Sequence, residues 1–215
     1  MMILSLEFSS DRRSVALIKD GVTLGSAFEN GGRQTHAARL VQSVMTQCDC
    51  SEESVEAIVI GLGPGSFAGV RAGIAFAQGW RLARRVKLAG VESAELVAIR
   101  CWLDRVRGPI EVAIDAQRGD FYLGSFEISG SGWIESEPLR IVSSDEISKR
   151  TKVGRTVFGP DVVLESLGGQ RAFPAAGDVG WLSTDRLQWV EGELLEPVYL
   201  REVNFVKAIP PRTVI

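Results

Sequence analysis

A glycine-rich turn is the part of this sequence whose residue types and spacing most suggest chemistry. Gly63 to Ala68 fit the pattern G-x-G-x-x-G/A, follow an apolar run at Ala57 to Leu62 and open a predicted helix. Backbone amides at such a helix N-terminus can hold a phosphate. A Rossmann unit has this turn after its first strand, however, and Gly69 is followed by Val70 and Arg71 rather than by a P-loop lysine. We favour a structural turn that lets helix and sheet approach closely, with a phosphate cradle as the alternative.

Few other residues could act as a nucleophile, base or metal ligand. Ser66 follows Gly-Pro-Gly instead of lying in G-x-S-x-G, and no histidine follows it along the chain. His36 is the single histidine, and Cys48 and Cys50 cannot by themselves form a four-ligand zinc site. With Cys101 the cysteines number three, which argues against a disulfide framework and for a reducing compartment. We expect neither a metal site nor a base-activated nucleophile.

Composition indicates a globular protein with one core or two small ones. The chain has 215 residues, of which 45% are hydrophobic, and a net charge of −3. No apolar run is long enough to span a bilayer, so we expect a cytoplasmic protein with no membrane contact. Nonspecific affinity for nucleic acid comes mainly from neutralised phosphates, and the negative charge therefore predicts that the chain alone does not bind nucleic acid.

The order of predicted elements indicates a lobe and a reduced repeat of it. The first part has strands at 2–8, 13–19, 22–29, 57–62 and 87–91 and helices at 35–50, 70–85 and from 93 onward. This order, βββαβαβα, is typical of an actin-like, ribonuclease H-like lobe with helices covering a mixed sheet.

A break near 106–109 separates the repeat, which has strands at 110–115, 120–128, 133–142 and 156–158. Its helix begins at Ser143, where Glu146 completes a capping box. From 168 to 196 the pattern is too weak to place elements. We expect an N-terminal lobe at 1–106 and a smaller C-terminal lobe at 107–215.

The helix predicted at 70–85 has a stripe of small residues. They are Ala72, Ala75, Gly79 and Ala83. Gly73 and Gly79 each lower helix propensity by about 1 kcal/mol relative to alanine, so close packing against a neighbour would have to compensate. That neighbour is either the chain's own first helix or another protein.

Five short blocks, in their order along nearly the whole chain, resemble the TsaB (YeaZ) family. They are Ile3 to Ser10, Gly61 to Arg71, Gly90 to Ser93, Ile114 to Gly119 and Pro197 to Arg201. The resemblance implies an actin-like (ASKHA) two-lobed α/β fold that is catalytically inert and pairs with TsaD, the catalytic paralogue, through helices of the first lobe. It also implies a larger complex with the ATPase TsaE, contact with tRNA only through that complex, and a homodimer when TsaD is absent.

The resemblance also sets expectations for single residues of the cleft. TsaD binds its metal with an H-x-x-x-H pair, and the matching positions here are Ser93 and Val97. Glu7 stands where the family usually has an aspartate, and Asp115 lacks the following glycines that let backbone amides approach a phosphate in actin-like ATPases. We therefore expect a degenerate nucleotide cleft, with Glu7 and Asp115 as its remnants and without cofactor or metal.

The expected partner surface lies on the first two helices, around 36–45 and 70–82. Its residues are His36, Leu40, Val44, Val70, Ala72, Gly73, Ala75, Phe76 and Gly79.

The resemblance implies a scaffold subunit that supports formation of N6-threonylcarbamoyladenosine at position 37 of tRNAs reading codons that begin with A. The alternative is an actin-like ATP-dependent phosphotransferase for a small metabolite, with Glu7 and Asp115 around a magnesium nucleotide. A dinucleotide-binding enzyme is a third hypothesis, which requires the strand before Gly61 to belong to a βαβ unit.

Overall fold

Two β-sheets with helices packed against them make up residues 1–31, 37–198 and 200, the part of the chain that the computed structural model describes. The first half contains strands β1 (Met2–Glu7), β2 (Arg12–Lys19), β3 (Val22–Asn30), β4 (Ala57–Gly61) and β5 (Lys87–Val91) and helices α1 (Ala37–Gln47), α2 (Phe67–Ala83) and α3 (Ser93–Leu103). The second half contains β6 (Gly108–Asp115), β7 (Asp120–Ser129), β8 (Gly132–Ser143), α4 (Ser144–Lys152), β9 (Val157–Gly159), α5 (Val162–Ser166), β10 (Gln170–Arg171) and β11 (Trp189–Val190). No helix in the described residues is long and apolar enough to cross a membrane.

Both sheets have the same strand order, which confirms the predicted actin-like, ribonuclease H-like two-lobed fold. The first sheet runs β3-β2-β1-β4-β5-β11 and the second runs β8-β7-β6-β9-β10. In each sheet the central strand pairs antiparallel with the strand that follows it and parallel with the fourth strand, so β1 lies between β2 and β4, and β6 between β7 and β9.

Alternation along the central strands divides the core between the two faces of each sheet. Leu4 and Leu6 of β1 pack with α1 and α2, whereas Ile3 packs on the opposite face with residues of α3. Helix α3 also contacts the second sheet, whose far face is covered by α4 and α5. The layers are therefore α1 and α2, the first sheet, α3, the second sheet, and α4 and α5.

Two helices begin where a serine side chain caps them. The Ser66 hydroxyl accepts a hydrogen bond from Gly69 N at 3.3 Å, so α2 starts about one turn before the predicted Val70. Ser143 caps α4 through Glu146 N at 3.3 Å, as predicted. The Glu146 carboxylate, which a full capping box would direct to the cap, instead pairs with Arg140 and Arg150.

The chain returns to the first lobe after β10, which differs from the expected C-terminal lobe of 107–215. Strand β11 pairs antiparallel with β5, and a 3-10 turn at Ala176–Trp181 packs on the face of the first sheet that α3 also covers. Ala176 N donates to Ser14 Oγ at 2.9 Å, and Thr23 Oγ1 donates to Gly177 O at 2.9 Å. Short 3-10 turns have neither a period of 3.6 nor one of 2, so the sequence pattern did not reveal this segment.

Asp178 of the returning segment predicts a specific pH dependence. It is 2% exposed, and burial raises the pKa of its carboxyl from 3.8 to about 6, against the opposing charge of its partner Arg100. Because the folded protein binds this proton more tightly, the contribution to stability is fully present below about pH 4 and is lost as the pH rises through 6. Relative to Asp178→Asn, which cannot titrate, the wild type should gain roughly 2 kcal/mol between pH 7 and pH 4. Urea unfolding of both proteins across this range measures the difference, and parallel stability curves would contradict the assignment.

Candidate functional site

The glycine-rich turn between β4 and α2 packs directly against the chain that follows β1. Ser66 N donates to Ser9 O at 2.6 Å. A Cβ atom at Gly65 would overlap Ser9 O, and one at Gly69 would overlap Phe8 O. Gly65 also has a φ of +143°, a conformation that residues with a side chain rarely adopt. Glycines are therefore required here for the close approach of two backbone segments.

Three amides of the glycine-rich turn already donate within the chain. Gly63 N donates to Ser93 Oγ at 3.2 Å, Ser66 N to Ser9 O, and Gly69 N to Ser66 Oγ. A phosphate cradle depends on such amides being free and pointing at the ligand. The geometry thus matches the structural turn favoured from the sequence. The strand before the turn, β4, pairs parallel with β1, but the meander β2-β3 precedes it, which is not the order of a Rossmann unit.

Glu7, the first cleft candidate, is a buried hydrogen-bonding centre of the first lobe. Its Oε1 accepts from Ser9 N at 2.6 Å and its Oε2 from Ser93 Oγ at 2.8 Å. The carboxyl also occupies the space beside Gly61, where a Cβ atom would overlap it. Burial raises the pKa of the Glu7 carboxyl, and the hydrogen bonds from Ser9 and Ser93 oppose that shift. Glu7 thereby joins β1 to β4 and to the start of α3.

Asp115, the second candidate, closes its own turn at the end of β6. Its carboxylate accepts from Gln117 N at 2.7 Å and from Gln117 Nε2 at 3.1 Å, while its own amide donates to Asp161 Oδ2 at 2.8 Å. Gln117 and Arg118 adopt φ angles of 65° and 62° in the hairpin turn predicted there. Burial raises the pKa of Asp161, and the neighbouring charges of Asp115 and Asp11 add to that shift. Glu7 and Asp115 therefore have separate sets of partners.

The positions that match the metal-binding pair of TsaD are both occupied by other contacts. The Ser93 hydroxyl donates to Glu7 and accepts from Gly63. Val97 is buried in the core between α3 and the second sheet. Within residues 1–31, 37–198 and 200, no group of three or more His, Cys, Asp or Glu side chains could hold a metal ion.

Four of the nine residues expected at the partner surface are buried in the first lobe. Leu40, Val44 and Val70 belong to the core on the α1 and α2 face of the sheet, and Gly73 is buried on the inner side of α2. Those side chains position the helices and do not reach the surface, because the apolar stripe of a helix packs inward. His36 lies outside the described residues.

The other four residues lie on the outer side of α2. Ala75 and Gly79 are exposed, and Ala72 and Phe76 are half-buried. A Cβ atom at Gly79 would meet no atom within 4 Å. Ala75 and Gly79 are therefore open to solvent, and packing on the chain's own first helix does not account for them.

Two large apolar side chains on the same helix were missed from the sequence. Phe67 is 55% exposed and Leu82 is 92% exposed, near the two ends of α2. A groove of about 800 Å³ runs between α1 and α2, where Phe76 and Trp80 line it. Trp80 Nε1 is buried and has no hydrogen-bond partner among the described residues. The sequence did contain a sign of this exposed apolar surface: α2 has apolar residues on all its sides, which is typical of a helix covered on more than one side.

The contact between Glu7 and Gly61 predicts coupling between two substitutions. Gly61→Ala alone should destabilise the protein by about 3 kcal/mol, because the added methyl group overlaps the Glu7 carboxyl. In a Glu7→Asp background the shorter side chain leaves room, so the same substitution should cost at least about 1 kcal/mol less. Urea unfolding of the four proteins gives the coupling energy.

Gly130→Ala is the matched control for this cycle, since a Cβ atom there meets nothing within 4 Å. Its effect should add to that of Glu7→Asp. Strict additivity for Gly61→Ala as well would show that the Glu7 carboxyl does not fill this space.

Known proteins were compared with the chain by family model, sequence and structure. A family model described as "TsaD: tRNA N6-adenosine threonylcarbamoyltransferase" matches residues 33–149. The tRNA threonylcarbamoyladenosine biosynthesis protein TsaB of Escherichia coli is 31% identical over 98% of this chain and 99% of its own length. TsaB of Bacillus subtilis is 26% identical over 59% of this chain and 56% of its own. YeaZ from Pseudomonas aeruginosa shares the fold, with a TM-score of 0.79 and 23% identity over 93% of this chain and 99% of that one. The chain belongs to the TsaB family.

Proposed function

We propose that this chain is a non-catalytic subunit that pairs with TsaD in forming N6-threonylcarbamoyladenosine at position 37 of tRNAs reading codons that begin with A. Relatives in the family are named as biosynthesis proteins of this nucleoside, and the matching family model is named for the transferase itself. The observation that carries the docking role is the outward-facing stripe of α2 around Ala75 and Gly79.

Gly79 has no role inside its own lobe that requires a glycine. It lowers helix propensity by about 1 kcal/mol relative to alanine, and the space beside it is open. Small side chains at this position and at Ala75 let the backbone of another helix come near. Phe67 and Leu82 add exposed apolar surface at either end of the stripe, which is typical of a protein-binding surface.

A non-catalytic role is supported by the way the cleft is bonded. The turn amides at Gly63, Ser66 and Gly69 donate within the chain, and Glu7 is buried among its own partners. Neither Ser93 nor Val97 can replace the histidine pair of TsaD. Catalysis is therefore assigned to TsaD, and this chain stabilises the enzyme and helps to form the surface that receives tRNA.

The wider assembly follows from the same proposal. TsaE is the ATP-hydrolysing third member, and the complex as a whole recruits tRNA in the cytoplasm. Without TsaD, two copies of this chain associate through the same α2 surface, since a surface that is self-complementary about a two-fold axis forms a dimer.

Tryptophan at the stripe should abolish the pairing without unfolding the protein. Ala75→Trp and Gly79→Trp fill exposed space, so the isolated variants should keep their thermal stability while losing co-purification with TsaD. Lys149→Trp, on the exposed side of α4, is the matched control and should retain TsaD. Gly79→Ala should stabilise the isolated chain by up to about 1 kcal/mol.

The same variants connect docking with tRNA modification. In cells depleted of this protein, mass measurement of bulk tRNA should show loss of threonylcarbamoyladenosine, which the wild type and Lys149→Trp restore and Gly79→Trp does not. A Gly79→Trp chain that still binds TsaD would refute the placement of the surface, and normal nucleoside levels after depletion would refute the function.

Calorimetry separates the scaffold from the phosphotransferase alternative. ATP with magnesium should give no binding heat with the isolated protein, because the carboxylates of Glu7 and Asp115, which would hold the magnesium, are bonded to other groups of the chain. Micromolar binding accompanied by turnover would instead favour the phosphotransferase.

A further inference from the structure

Two phenylalanine rings and two guanidinium groups form a continuous stack that joins the two lobes. The Arg12 guanidinium lies 4.1 Å from the Phe28 ring centroid and 5.8 Å from that of Phe173, and Arg171 lies 4.7 Å from the Phe173 centroid. Arg12 and Phe28 come from β2 and β3 of the first sheet, whereas Arg171 and Phe173 come from β10 and the residues just after it. We call these four residues the arginine–phenylalanine stack.

The stack carries positive charge that the protein leaves unpaired. Neither Arg12 nor Arg171 forms an ion pair with any described residue, although Arg171 donates one hydrogen bond to a backbone carbonyl. Both line a cavity of about 380 Å³, together with Arg100 and Asp104. Arg100 is already paired with a buried aspartate, and the charge of Arg171 also acts on Asp161. Although Asp104 lines the same cavity, Arg12 and Arg171 have no carboxylate within ion-pair distance among the described residues and can therefore contact an anionic ligand.

The aromatic part of the stack is open to solvent on one side. The Phe28 side chain is 54% exposed, and it lies on β3, the edge strand of the first sheet. A large apolar ring at such a position adds nothing to the core. It offers a flat face beside a guanidinium plane, which is the surface on which nucleobases stack in single-stranded RNA complexes.

We infer that the arginine–phenylalanine stack binds an unpaired nucleotide of RNA, with the base against Phe28 and the flanking phosphates at Arg12 and Arg171. A cavity of about 380 Å³ is in the size range of small-molecule sites, as one nucleotide requires. Guanidinium groups bind phosphate in a bidentate manner and also stack on bases. The inference rests on the proposed function, because it makes tRNA the natural source of that nucleotide and gives this subunit a direct contact with it.

This direct contact departs from the sequence-based expectation that the chain alone does not bind nucleic acid, because a net charge of −3 opposes strong nonspecific binding but not a weak contact at one local site. A single local site binds RNA weakly when the rest of the protein repels it, but within the complex the tRNA is already held nearby at high effective concentration. The isolated chain should therefore show weak, salt-sensitive binding that depends on the stack.

Fluorescence anisotropy with labelled heptauridine, an unstructured single-stranded RNA, tests the inference on the isolated full chain at low ionic strength. Arg12→Glu with Arg171→Glu should lower the affinity at least about tenfold. Lys149→Glu with Lys152→Glu makes the same charge change on exposed residues of α4 and should retain most of the affinity. Phe28→Ala keeps the charge and should also lose about tenfold, because it removes the stacking face. Thermal melting checks that each variant is folded.

Three results would overturn the inference. The first is that the wild type does not bind heptauridine. The second is that the Arg12→Glu, Arg171→Glu variant and the α4 control lose RNA affinity equally. The third is that inorganic polyphosphate binds with the same affinity as RNA and that Phe28→Ala leaves this affinity unchanged. Co-purification of the stack variants with TsaD is measured in parallel. If the stack variants still co-purify with TsaD and still bind RNA like the wild type, the stack is rejected as an RNA site and the proposed function stands. If the wild-type chain itself does not co-purify with TsaD, the proposed function is rejected.

Discussion

The contact that the first lobe depends on is the approach of the Phe8 and Ser9 backbone to the glycine-rich turn. Gly65 and Gly69 allow this approach because each lacks the side chain that would overlap a carbonyl oxygen of the facing segment. The contact supplies the Ser9 carbonyl as acceptor for Ser66 N, the N-cap residue of α2, and the Ser66 hydroxyl then accepts from Gly69 N. One interaction thus builds the lobe and also uses an amide of the turn that a phosphate cradle at this helix start would need free.

Helix α2 can leave one side exposed because burial of its opposite side is enough to hold the helix against the first sheet. Val70, Ile74 and Ala77 pack on the sheet, and full burial of a valine or isoleucine side chain contributes roughly 1.5–3 kcal/mol. The loss of about 1 kcal/mol of helix propensity at the exposed Gly79 is smaller than this gain. The outer side can therefore carry small residues that the packing of the monomer does not require.

The segment from Ala176 to Leu195 follows the second sheet in the chain but packs on the first sheet, and it thereby connects the two lobes. It covers the face of the first sheet beside α3 and places β11 next to β5. The chain therefore passes from the first lobe into the second and back, and its last described segment packs on the first sheet. The arginine–phenylalanine stack adds one cation–π contact between them, Arg12 with Phe173, worth about 0.5–1 kcal/mol at an exposed site.

The sequence alone determined the types and order of most elements, the two-lobed fold and the family, because periodicity, turn residues and short motifs are local properties. It also identified the stripe of α2, but placed Leu40, Val44 and Val70 on the partner surface although they lie in the core. Only the tertiary structure decided which side of α2 is open, where the turn amides donate and where residues 176–195 pack. These depend on contacts such as Glu7 with Ser93, 86 residues apart, and Ser14 with Ala176, 162 residues apart. No local pattern encodes such pairs, since they form only when the sheets and helices have assembled.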